Sequence, residues 1–132
     1  MRKNFRRLSL VLSLIIIMTI TAYAEVEINY ASNDNKSIKY CSDVVWKSLL
    51  HWRVDIGVET IDTSNIHDMY VYVNYRLTND GIVVASVEKQ SAAQYVLLKE
   101  NQSNGDKIIS THRLVNPSTD LAKITKFIIQ YD

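Results

Sequence analysis

Residues 69–88, MYVYVNYRLTNDGIVVASVE, decide the fold. Met69, Val71, Val73, Tyr75 and Leu77 alternate with Tyr70, Tyr72, Asn74 and Arg76. A period of two places each set on its own face of an extended strand. Thr78-Asn79-Asp80-Gly81 follows, and Asp-Gly supplies the positive φ angles that a tight primed hairpin turn requires. Residues 82–88 then return as the partner strand.

Downstream, residues 92–100 have helical propensity yet run into the turn cluster 101–106, after which 107–115 is strand-like. A hairpin explains both flanks with one turn, so strands are expected here, with helix over 92–100 as the alternative. Asn116-Pro117-Ser118 ends that run, because Pro117 cannot donate to a ladder. A last strand is expected over 124–131, with Phe127, Ile129 and Tyr131 on one face. Upstream, Val54, Ile56 and Val58 alternate as another strand. Ile38, Cys41, Val45, Leu49 and Trp52 recur at spacings of three and four, which predicts a helix over 38–52 with Ser37 as its N-cap. Residues 25–35 read as an edge strand or loose lead-in closed by the turn cluster Asn33-Asp34-Asn35. The expected fold is mostly β (α+β): an antiparallel sheet or immunoglobulin-like sandwich of five or six strands with one N-terminal helix.

The first 24 residues have the pattern of a cleavable export signal. Arg2, Lys3, Arg6 and Arg7 precede an apolar run over 8–20, and Ala22-Tyr23-Ala24 offers the small side chains that a signal peptidase accepts. The apolar run is shorter than the roughly 20 residues a membrane-spanning helix needs. Residues 25–132 then form a single domain. Removing those four positive charges from the 15 basic residues leaves 11 against 14 acidic ones, a net charge of −3. That balance argues against nucleic-acid binding, which needs a basic face. One cysteine, Cys41, cannot make an internal disulfide, so packing must stabilise the domain. On the helical reading its thiol lies on the apolar, buried side. The Lys- and Asn-rich style behind a short Arg-led signal suggests a bacterial exported protein in the periplasm, secreted, or at the surface.

No pattern carries catalysis. His51, His67 and His112 form no close-spaced metal-ligand cluster, and no nucleophile elbow or glycine-rich phosphate loop is present. Asp55 and Glu59 share a strand face and read as solvated. No enzyme, cofactor or metal is expected. What remains is surface. Tyr70 and Tyr72 are candidate partner contacts, since tyrosine buries much area at low entropy cost. The competing reading buries both faces of their strand. Lys107, Arg113, Lys123 and Lys126 are candidate contacts for an acidic partner, or else charges that guard strand edges.

From Met69 onward the chain resembles the periplasmic curli-assembly chaperones of the CsgC type. The resemblance runs through Val71-Tyr72-Val73-Asn74, Asp80-Gly81, Ile82-Val83-Val84, Gln90-Ser91, Leu98-Lys99-Glu100, Ser103-Asn104-Gly105, Leu114, Pro117 and Thr125-Lys126. The family's Cys-x-Cys pair is absent, with Ala92 and Ala93 in that region. The resemblance implies an immunoglobulin-like sandwich that keeps fibre subunits from polymerising early. Residues 71–83 also look like the strand–Asp-Gly–strand signature of the TonB/TolA C-terminal domain, an envelope adaptor with a long helix after the hairpin. Accordingly, the expected partner is a protein, either a fibre subunit captured at an accessible strand edge such as 107–115 or an envelope-complex component. A pilus-type structural subunit is a further alternative, suggested by the terminal strand.

Overall fold

The computed structural model describes residues 22–47 and 53–131, and these form eight strands. They are β1 (Ala22–Asn33), β2 (Lys36–Lys47), β3 (Arg53–Asp62), β4 (Tyr70–Asn79), β5 (Ile82–Ser91), β6 (Tyr95–Ser103), β7 (Lys107–Val115) and β8 (Ala122–Tyr131). Every pairing is antiparallel, in two four-stranded sheets ordered β1-β2-β3-β6 and β5-β4-β7-β8. The sheets face each other as a β-sandwich.

β4 organises the core. Val71, Val73, Tyr75 and Leu77 are fully buried, and Met69 nearly so. They pack against Ile38, Val44, Val54, Val58, Val96 and Ile108, among others, from both sheets. Each such aliphatic side chain contributes about 1.5–3 kcal/mol by leaving water. Asp80 and Gly81 at the β4–β5 turn have φ of 50° and 79°, as the Asp-Gly dipeptide requires. Asp34 takes a φ of 51° in the β1–β2 turn.

Three expectations are corrected. The helix over 38–52 is a strand as far as residue 47; residues 48–52 lie outside those described, as does the export signal up to residue 21. Ser37, expected as an N-cap, lies inside β2. The inward positions of β2 are Lys36, Ile38, Tyr40, Ser42, Val44 and Trp46. Two polar residues interrupt that period of two, and Cys41 and Val45 on the opposite face created a false period of three to four. Among the described residues there are eight strands rather than five or six, and no helix. Finally, 95–103 and 107–115 are both strands, but they do not form a hairpin: β6 pairs with β3 and β7 with β4. The chain changes sheets at 104–106, where Gly105 lies directly on the Leu77 side chain.

The sheets are stacked out of step by about half a strand. β8 packs against both β1 and β2, and β7 against β2 and β3. At the other side β4 lies against β3 and β6, and β5 against β6. β1 therefore overhangs β8.

Candidate functional site

A sheet edge presents unpaired backbone N–H and C=O groups, and a sandwich of two open sheets has four such edges: β1, β5, β6 and β8. Their side chains differ. β5 carries Glu88 and Lys89, and Lys89 Nζ reaches across to the Leu97 carbonyl of β6 at 3.1 Å. β6 carries Lys99 and Glu100. That side of the molecule thus carries charge and a bridge between its two edges, beside exposed Ile82, Val83 and Val84 on β5 and Tyr95 on β6.

The β1/β8 side is different. The outward positions of β1 are Val26, Ile28 and Tyr30, all exposed, with Tyr30 at 71%. The outward positions of β8 are Thr125, Phe127, Ile129 and Tyr131, and Phe127 is 59% exposed. Neither stripe contains a charge. The two strands run side by side on opposite sheets, and three contacts tie them. Gln130 Nε2 donates to the Glu25 carbonyl at 3.2 Å. Asn33 Nδ2 donates to the Lys123 carbonyl at 2.8 Å, and Lys123 Nζ pairs with Asp34 at 2.5 Å. Lys123 holds the Asp34 carboxyl below its ordinary value, first by its hydrogen bond and then by its charge. On the inward side of this seam Glu27 and Lys126 are both exposed.

The expected contact residues do not come together as one patch. Tyr72, Lys107 and Arg113 lie on the outer face of the β5-β4-β7-β8 sheet. The Arg113 guanidinium sits 5.4 Å from the centre of the Tyr72 ring, and the Tyr72 hydroxyl donates to Glu88 at 3.0 Å. Burial, then Glu88, raises the Tyr72 phenol above its usual value. Lys107 Nζ sits 5.9 Å from the centre of the Tyr131 ring. Tyr70 is half-buried at the start of β4. Lys123 closes the β1–β2 turn, and Lys126 points inward on β8. The edge expected at 107–115 is corrected: β7 is paired on both sides, by β4 and β8. Sequence reading grouped Phe127, Ile129 and Tyr131 correctly but had no means of placing them at an edge.

The polar groups around His112 inside the sandwich satisfy one another. His112 is fully buried, with Nδ1 2.8 Å from Thr60 Oγ1 and Nε2 2.9 Å from Ser110 Oγ. Thr60 spends its hydroxyl proton on the Tyr72 carbonyl, so His112 Nδ1 donates and Nε2 accepts from Ser110. Burial pushes the imidazole down to about 4, with a weaker opposing pull from the Glu59 backbone. At the β3–β4 connection the buried Asp62 Oδ2 accepts no hydrogen bond and lies 3.5 Å from His67 Nδ1. Nearby, Lys36 Nζ binds the Ile66 carbonyl and Asp68. Cys41 faces outward, contrary to the helical reading, with Sγ 3.5 Å from Glu59. Burial and Glu59 raise its thiol to about 11, which makes it a poor nucleophile. Asp55 pairs with Lys47 at 2.6 Å on the sheet surface. Among the described residues no group of three or more His, Cys, Asp or Glu side chains is placed to hold a metal ion.

No family model matches the sequence, and no curated protein matches it. Among solved structures, chicken MD-1 complexed with lipid IVa aligns at 14% identity. The alignment covers 83% of this chain and 99% of that one, with a TM-score of 0.27.

Proposed function

We propose that the chain is an exported, non-enzymatic binding protein that assists assembly of a surface fibre, capturing an extended segment of a fibre subunit by pairing with its backbone. The observation that carries this reading is the pair of unpaired edge strands, β1 and β8, on one side of the sandwich. Their outward rows, Val26, Ile28 and Tyr30 on one and Phe127, Ile129 and Tyr131 on the other, are apolar and exposed, and their charges Glu27 and Lys126 face inward. Soluble proteins commonly block such edges with charge, proline or a covering loop. An uncovered one is the template for strand addition, in which main-chain bonds supply affinity and alternate side chains supply selectivity. Capping a client strand in this way removes the edge on which a cross-β fibre grows.

The capturing edge is β8. A strand added beside β1 would extend the overhang and face nothing on its inner side. A strand added beside β8 would lie partly beneath β1 and bury one face there. Export follows from the basic, apolar and small-residue succession over the first 24 residues, with Glu25 leading the mature chain. The test is a thioflavin time course with an amyloid-forming fibre subunit. The lag lengthens at equimolar protein if this reading holds; an unchanged lag would refute it.

A further inference from the structure

Resting on that reading, the geometry points to a client segment of defined polarity: an amphipathic strand, antiparallel to β8, with a cation on its inward face followed two residues later by an acid.

Two contacts fix how β1 and β8 lie relative to each other. Gln130 bonds Glu25 at one end, and Lys123 accepts from Asn33 at the other. Counting residues evenly between these anchors sets the inward residue Glu27 level with Ile128, and Asn29 level with Lys126. Glu27 is exposed although its parity on β1 is inward, as the half-strand offset requires. Its proximity to the core is felt by Tyr40, whose phenol is raised first by burial and then by the Glu27 charge.

A ninth strand beside β8 therefore meets two different surroundings. Its outward side chains extend the row of Phe127, Ile129 and Tyr131 and must be apolar or aromatic. Its inward side chains enter the space under β1, where Glu27 and Lys126 stand two β8 positions apart. Lys126 would meet the client across the ladder, where an opposite charge stabilises by about 0.2–1 kcal/mol and a like charge destabilises similarly; Glu27 would meet it from the opposite sheet, where a solvent-exposed charge pair contributes about 0–1 kcal/mol. All pairings in both sheets are antiparallel, and continuing that pattern makes the client run from Gln130 toward Ile124. Read from its own N-terminus, it meets Glu27 first and Lys126 second. The matching order is cation, then acid.

Two nine-residue peptides of one composition test this. Both carry Ile or Val at odd positions; the even positions are Thr, Lys, Glu, Thr in one and Thr, Glu, Lys, Thr in the other. Backbone amide shifts of the labelled protein report binding. The Lys-then-Glu peptide binds about fivefold more tightly, with shifts centred on β8, and the preference inverts in Glu27→Lys/Lys126→Glu. Both substitutions are at exposed positions, so folding is preserved. Equal affinities, or a preference for the reversed peptide in the native protein, overturn the polarity assignment and leave strand capture standing. Absence of β8 shifts with either peptide, together with an unchanged fibre lag, removes both.

Discussion

Gln130 Nε2 donates to the backbone carbonyl of Glu25 at 3.2 Å and so ties β8 of one sheet to β1 of the other. The same amide accepts from Ser42 Oγ at 2.9 Å and donates to the Ser42 carbonyl, in a region closed to water. This polar latch holds the overhanging strand over the proposed capture edge.

Gln130→Leu should destabilise the fold by about 2 kcal/mol, because the Ser42 hydroxyl is left buried without its partner. Combining it with Ser42→Ala should cost less than the sum of the single variants, since both polar ends are then removed. Urea unfolding of the four proteins measures this coupling. Strict additivity would show the latch to be energetically unimportant.

Acid should weaken the fold in a window set by His112. In the unfolded chain the imidazole takes up a proton near 6.5, whereas in the fold it resists until about 4. The unfolded state therefore binds more protons between those values, and stability falls as pH drops through them, by about 3 kcal/mol in total. Below about 4 this contribution to the slope disappears. Asp34, Asp55 and Asp68, all held below 3.8, lose their contributions only at still lower pH. Melting temperature measured from pH 7 to 4 should decline for the native protein, and much less steeply for His112→Gln.

Gly105 and Gly57 differ in environment. A Cβ on Gly105 would stand 2.1 Å from Leu77 Cδ1, and Leu77 is fully buried and has nowhere to move. Gly105→Ala should cost about 1–3 kcal/mol. Gly57→Ala meets only an ordinary contact of 3.5 Å to the Asp43 carbonyl and should be neutral or slightly stabilising in mid-strand. Denaturant midpoints for the two variants decide this.

A charge on the capture edge should abolish function without harming the fold. Ile129→Lys places a cation in the exposed apolar row of β8. Its stability should stay within about 0.5 kcal/mol of the native protein, while its effect on fibre lag disappears. Ile82→Lys, likewise at an exposed position but at the β4–β5 tip, should leave the lag effect intact.

Much of the architecture was legible because β4 obeys a single rule: each of its inward positions is apolar and its turn is Asp-Gly. β2 was not legible, since Lys36 and Ser42 occupy inward positions and are satisfied only by partners distant in sequence, Asp68 and Gln130. Local period cannot register such bonds. The Phe127, Ile129 and Tyr131 row was visible in sequence, but its position at an edge was not. Edge status depends on the order of strands in the sheet, and the same limit made the interior strand β7 look accessible.

Hydrogen exchange of β8 amides in a mixture with an amyloid-forming fibre subunit tests strand capture most directly. Alternate amides between Ile124 and Tyr131, those not bonded to β7, should become protected while β5 and β6 stay unchanged. Protection appearing on β5 or β6 instead, or on no edge at all, would contradict capture at β8.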